Sequence, residues 1–268
     1  MIIMMNKFSF PFHLVTNSPW PLFMSFSIFS NMVFTLEMLC FNKLNTWSMG
    51  ISLLFTMLVM FGWMRDVIYE GYLEGYHSKK VQDGLKLGIV LFITSEVFFF
   101  ISFFWSLIHL SVSVDINLDG WPPKGISTVD PMGIPFLGTL ALISSGISLT
   151  WSHHNLLTKG MMEGYVRSPL EYTIYLGGAF TSLQYTEYCN CDFSINDSVY
   201  GSLFFMMTGF HGIHVILGIV FLYISLLRLV ALQFSYKHHV GFEMAIWYWH
   251  FVDVVWLYLY ICVYWWGK

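Results

Sequence analysis

The sequence predicts an all-α membrane protein of seven transmembrane helices. Its 268 residues are 56% apolar, 19% aromatic and only 10% charged. An ordinary soluble domain carries about 25% charged residues, so a water-exposed surface of normal polarity cannot be built from this composition. Seven stretches reach the length of about 20 mostly apolar residues that a spanning helix requires. No Ser-, Gly- or Pro-rich linker, low-complexity tract, repeat or long charge run interrupts them, which points to a single seven-helix membrane domain over 1–268.

The first helix is expected over 20–41. Asn17, Ser18, Pro19 and Pro21 stand at its start, Lys7 is the only nearby cation and no small-residue cleavage pattern follows, so it reads as a retained helix rather than a signal peptide. The second is expected over 47–68. The third, over 80–111, contains the phenylalanine-rich run "FITSEVFFFISFFW" with Glu96 in it and His109 near an end. The fourth covers 134–155. The fifth, 163–189, carries "LQYTEY", which sets Gln184, Glu187 and Tyr188 on one helical face. The sixth, 198–230, does the same for His211 and His214 in "FHGIHV", and Gly209, Gly212 and Gly218 around them signal a closely packed neighbouring helix. The seventh, 240–266, places His250 and Asp253 one turn apart; its Trp247, Trp249, Trp256, Trp265 and Trp266 read as helix packing and interfacial belt. The third, sixth and seventh segments are long enough to tilt or to protrude.

Lys and Arg collect on the inner face of membrane proteins, so their distribution orients the chain. With seven spans the N-terminal face holds Lys7, Arg65, Lys79, Lys80, Lys86, Lys159, Arg167, Arg228 and Lys237, and the other face Lys43, Lys124 and Lys268. Nine against three places the N-terminus inside. These cations are spread along the chain and form no patch, which excludes nucleic acid as a partner.

Polar side chains at membrane depth are costly unless paired or turned inward, so Glu96, Gln184, Glu187, His211, His214, His250 and Asp253 are the informative residues. Two readings of the histidines stay open on spacing alone. Neutral imidazoles on facing helices can ligate a haem, or they can tie helices together by hydrogen bonds, with Asp253 holding His250 in one tautomer. A haem-bearing oxidoreductase built on the first reading, and a carrier using Glu96, Glu187 and Asp253, are the alternatives to a structural role. Phosphate-cradle and hydrolase signatures are absent from the sequence. Cys40 and Cys262 read as small buried residues; Cys189 and Cys191 form a C-x-C, a weak metal signal, and are expected as free thiols.

"NSPWP", "WMRDVIYE", "LFITSEVFFF", "WPPKGI", "TWSHH", "LQYTEY", "YGSLFFMMTGFHGIHVILG" and "HHVGFEMAIWYWHFVDVVWL" followed by "YWWG" occur in this order from Asn17 to Gly267. In that order they resemble subunit 3 of cytochrome c oxidase, mitochondrial type, over nearly the whole chain. The resemblance implies a two-plus-five arrangement of helices around a lipid-filled V-shaped cleft, with 20–41 and 47–68 as the pair. It implies a chain with no haem, copper or other metal of its own, those centres lying in partner subunits, and with bound phospholipids as its only cofactor-like molecules. Gln184, Glu187, His211, His214, His250 and Asp253 then become a structural polar network. Glu96 matches the family's carboxylate that faces the cleft and reacts with hydrophobic carbodiimides, as an uncharged acid in apolar surroundings would. Its two readings are a neutral tie to a neighbouring helix and a part in proton uptake.

The implied function is that of a non-redox core subunit of the proton-pumping oxidase, respiratory complex IV. It would pack on subunit 1 beside the other complex IV subunits in the mitochondrial inner membrane, with the N-terminus in the matrix and the C-terminus in the intermembrane space. Arg65, His77 and Arg228 match basic positions at the inner mouth of the cleft and are the candidates for lipid phosphate. Met64 and Tyr69 depart from the family's pattern, which has a second Trp and an Arg there.

Overall fold

A computed structural model of the chain describes residues 11–41, 46–113, 120–159 and 163–267. The described residues form seven α-helices: α1 Trp20–Phe41, α2 Thr46–Tyr72, α3 Lys79–Val112, α4 Ile134–Lys159, α5 Glu163–Asn190, α6 Ser198–Val230 and α7 Val240–Leu259. The end of α7 widens into a π-helix over Tyr260–Trp265. Each expected segment coincides with one helix; α2 and α4 run about one turn past their expected ends. Lys7, Lys43 and Lys268 of the cation count lie outside the described residues.

Among the described residues five helices, α2, α3, α4, α6 and α7, are long and apolar enough by themselves to cross a membrane, and α1 and α5 are not. α5 falls short because Arg167, Glu171, Gln184 and Glu187 interrupt it. Gln184 and Glu187 are buried by packing, whereas Arg167 and Glu171 are exposed and pair with each other at 2.7 Å; Pro169 shows how packing also satisfies the backbone. A proline inside a helix has no N–H to give to the carbonyl four residues back, which here is that of Tyr165. The Asn155 side chain of α4 donates to that carbonyl at 2.9 Å, and Ser152 donates to the adjacent Val166 carbonyl at 2.7 Å.

The chain packs as two units, Met1–Leu85 and Lys86–Lys268, with the division inside α3. In the first, α1 and α2 form an antiparallel hairpin joined by a polar ladder at membrane depth. Asn31 donates to Thr56 at 2.8 Å, Ser52 donates to Asn31 at 2.6 Å, and the Ser30 and Ser52 hydroxyls meet at 2.7 Å. At the other end of the hairpin the Trp20 indole N–H donates to Asp66 at 2.6 Å, and the ring lies flush on Gly62, where a Cβ would come within 2.5 Å of it.

In the second unit α4 packs along α5, α5 on α6, α6 on α7 and α7 back on α4. Small residues allow the close approach. The Ser148 and Thr173 hydroxyls meet at 2.8 Å between α4 and α5. Trp249 of α7 is fully buried, with its ring edge over Gly177 of α5 and Gly218 of α6 and its indole N–H donated to Ser145 of α4 at 2.9 Å. Of the three glycines expected to mark a close helix, Gly218 does so; Gly212 has open space around it and Gly209 only a distant tyrosine hydroxyl.

Candidate functional site

Glu96 on α3 and His214 on α6 lie 118 positions apart in the chain, and the fold brings them to 2.9 Å, Oε2 to Nε2. Both are largely buried, with 23% and 11% of their side-chain surfaces exposed. The rest of the histidine fixes what the contact is. Nδ1 of His214 lies 2.7 Å from the carbonyl of Phe210, one turn earlier. A carbonyl only accepts, so Nδ1 carries a hydrogen and the neutral ring presents a bare lone pair at Nε2. A carboxylate cannot bond to that lone pair, whereas a carboxylic acid can donate to it. The alternative is the same proton moved across to give imidazolium and carboxylate. Either way the pair holds one proton between two bases. Phe99, Phe100, Phe251 and Tyr248 pack around the imidazole, with ring centroids 5.2–6.5 Å away. Among the described residues this is the one carboxyl–imidazole hydrogen bond between helices at membrane depth.

The other polar residues separate into independent ties instead of one network. His211 is fully buried and donates Nε2–H to the Val252 carbonyl of α7 at 3.2 Å; its Nδ1 has no partner, and its ring packs on Trp256 and Phe180. Gln184 and Tyr264, the latter in the π-helical segment, both donate to Oε1 of buried Glu187, at 3.1 and 2.6 Å. His250 and Asp253 do not form the expected tautomer-fixing bond. Their nearest atoms are 3.9 Å apart, beyond hydrogen-bond reach, because both side chains lean toward α4, where His250 meets Thr150 at 3.5 Å and Asp253 lies over Gly146. One Asp253 oxygen is buried without a partner. This pair borders an open groove of about 610 Å³ between α4 and α7.

The candidates for lipid phosphate fall in both units. Arg65, well exposed, shares Asp66 through two contacts at 2.8 and 3.0 Å, and His77 packs against Gly71 and edge-on to His13. Arg228, in the second unit, donates to Gln233 at 3.2 Å and lays its guanidinium 4.4 Å over the Phe234 ring. All four cysteines are free. Burial, with Glu187 and Asp192 adding to it, pushes the Cys191 thiol up to about 11, so it stays protonated at neutral pH and is a poor metal ligand.

One cluster escaped the sequence reading. His153 near the end of α4 and His239 and Glu243 at the start of α7 bring one ligand atom each to within 4.8 Å of one another. The motifs "TWSHH" and "HHVGFE" contain all three, but 86 positions separate the histidines that meet.

The chain matches the family model of cytochrome c oxidase subunit III over residues 10–268. It is 49% identical over 264 residues to cytochrome c oxidase subunit 3 of Mus musculus, 48% over 264 residues to that of Rattus norvegicus and 49% over 258 residues to that of Salmo salar. Each alignment covers 96% of this chain and 97% of the relative.

Proposed function

The chain belongs to the cytochrome c oxidase subunit III family, and is thus a membrane-spanning, mitochondrial-type subunit of an oxidoreductase complex that carries no redox centre itself; from this we infer that its task is to keep subunit 1 supplied with protons and intact through many turnovers. The observation that supports this reading is the Glu96–His214 pair. A single proton shared by two bases inside an apolar span is a group able to take up and pass on a proton at low reorganisation cost, and the chain has no redox chemistry for it to serve internally. The chain also binds phospholipid, with Arg65 and His77 of the first unit and Arg228 of the second as the groups for lipid phosphate, and such bound lipid offers apolar oxygen a route toward subunit 1. Gln184, Glu187, His211, His250 and Asp253 act structurally.

The test is to compare intact oxidase with oxidase from which this subunit has been extracted. Haem spectra are expected to be unchanged at first, while proton uptake slows and activity decays progressively during turnover. Equal rates and equal lifetimes would sink the reading.

Orientation follows from the nine-to-three distribution of cations, with the N-terminus in the matrix. A protease added outside sealed inner-membrane vesicles of native orientation should remove a C-terminal tag and leave an N-terminal one. The opposite pattern would overturn the assignment.

A further inference from the structure

We propose that His153, His239 and Glu243 form a binding site for Zn²⁺ or a similar borderline divalent metal. His239 donates Nδ1–H to the Ser235 carbonyl at 2.9 Å, which leaves Nε2 as a lone pair. That lone pair faces Nε2 of His153 at 3.4 Å and Oε1 of Glu243 at 3.3 Å. With His239 neutral and Glu243 ionised, only His153 can offer a hydrogen to the three acceptors, and the bare His239 nitrogen opposite a carboxylate oxygen is repulsive unless a proton or a metal cation lies between them. A cation at the common point removes the conflict.

The spacing identifies the class of cation. Zinc–nitrogen bonds of about 2.0–2.1 Å at the tetrahedral angle put neighbouring ligand atoms about 3.3–3.4 Å apart, and both measured edges fall there. Calcium and magnesium prefer all-oxygen shells, whereas two imidazoles and a carboxylate are the donor set of zinc sites that keep a fourth position for water.

The surroundings are those of a metal site. The His239 bond to a backbone carbonyl orients the ring as metal-bound histidines are commonly oriented. Lys86 of α3 pairs with the far oxygen of Glu243 at 2.5 Å and thereby turns Oε1 inward. Lys86 also opposes a cation electrostatically, but it is held on the outer oxygen and partly solvated. His239 is buried while His153 and Glu243 are only half-buried, which gives a metal a way in. Bound zinc would clamp the end of α4 to the start of α7, on the cation-rich face.

Crystals of the assembled oxidase, first washed with chelator and then soaked in zinc chloride, test this by anomalous diffraction at the zinc edge. A peak is expected within bonding distance of His153 Nε2, His239 Nε2 and Glu243 Oε1. His239→Asn keeps a residue suited to cap α7, and Glu243→Gln keeps the side-chain shape, so both variants should assemble with normal haem spectra. Each is expected to retain at least about tenfold less zinc at this position in a titration followed by metal analysis. No peak in the wild type, or equal zinc retention by wild type and both assembled variants, would overturn the proposal.

Discussion

Trp249→Ala is expected to abolish assembly of the subunit into the oxidase. The side chain is completely buried and is the point where four helices of the second unit meet: its own α7, α4 through Ser145, α5 through Gly177 and α6 through Gly218. Truncating a buried Trp to Ala costs about 3–5 kcal/mol, a large part of the stability of a typical domain. Here the loss falls where glycines have no side chains with which to close the cavity. Trp249→Phe fills most of the volume and loses chiefly the indole N–H bond to Ser145, about 1 kcal/mol, so it should assemble with reduced thermal stability. A Cβ at Gly177 would sit 2.6 Å from the far edge of the indole, at Cη2. Gly177→Ala should therefore be severe alone and partly rescued by Trp249→Phe, which lacks that edge, although Ile219 at 3.0 Å limits the rescue. The readouts are native-gel assembly and the temperature at which the haem spectrum is lost. Normal assembly of Trp249→Ala would show that the helices are held together from outside the chain.

The helices were legible because lipid enforces a simple rule. Each span must satisfy its own backbone and present an apolar surface of fixed length, so runs of about 20 mostly apolar residues located the helices to within about a turn. α5 was found although it falls short of a span by composition, because its polar residues Arg167, Glu171, Gln184 and Glu187 gather near its two ends and leave an apolar stretch between them.

Pairings between helices were not legible, because helical spacing tells which residues share a face and not which helix that face meets. His211 and His214 are one turn apart and point to different neighbours, α7 and α3. His250 and Asp253 are also one turn apart, yet each turns to α4 rather than to the other. Glu187 shares a helical face with Gln184, and its acceptor role for Tyr264, 77 positions away, leaves no trace in that spacing. Similarly, the zinc-type cluster needed the antiparallel closure of α7 onto α4, which no local pattern announces.

Glu96 variants are expected to divide by their ability to donate a hydrogen, and the division separates the two roles left for this residue. Because His214 commits its Nδ1 hydrogen to Phe210, its Nε2 needs a donor, and Glu96 in its acid form supplies one. Glu96→Gln offers an amide N–H at nearly the same place, so the tie between α3 and α6 survives at little cost. Glu96→Ala leaves the imidazole nitrogen buried and unpaired beside a small cavity, a loss of about 1–3 kcal/mol. A residue that only ties helices would therefore show Gln close to wild type and Ala impaired in stability. A residue that relays protons would show Gln failing as Ala does, since an amide cannot release its hydrogen in the working pH range. The expected result is intermediate and specific: Glu96→Gln assembles with normal haem spectra and retains most of its steady-state oxygen consumption, because the oxygen chemistry lies in another chain, but its activity decays faster during sustained turnover. His214→Phe should reproduce the faster decay, since it removes the second base of the pair. Turnover recorded from the first seconds to exhaustion in each assembled variant decides it. Immediate loss of nearly all activity in Glu96→Gln would make the carboxyl essential to the reaction itself, and a lifetime equal to that of the wild type would reduce the pair to a structural tie.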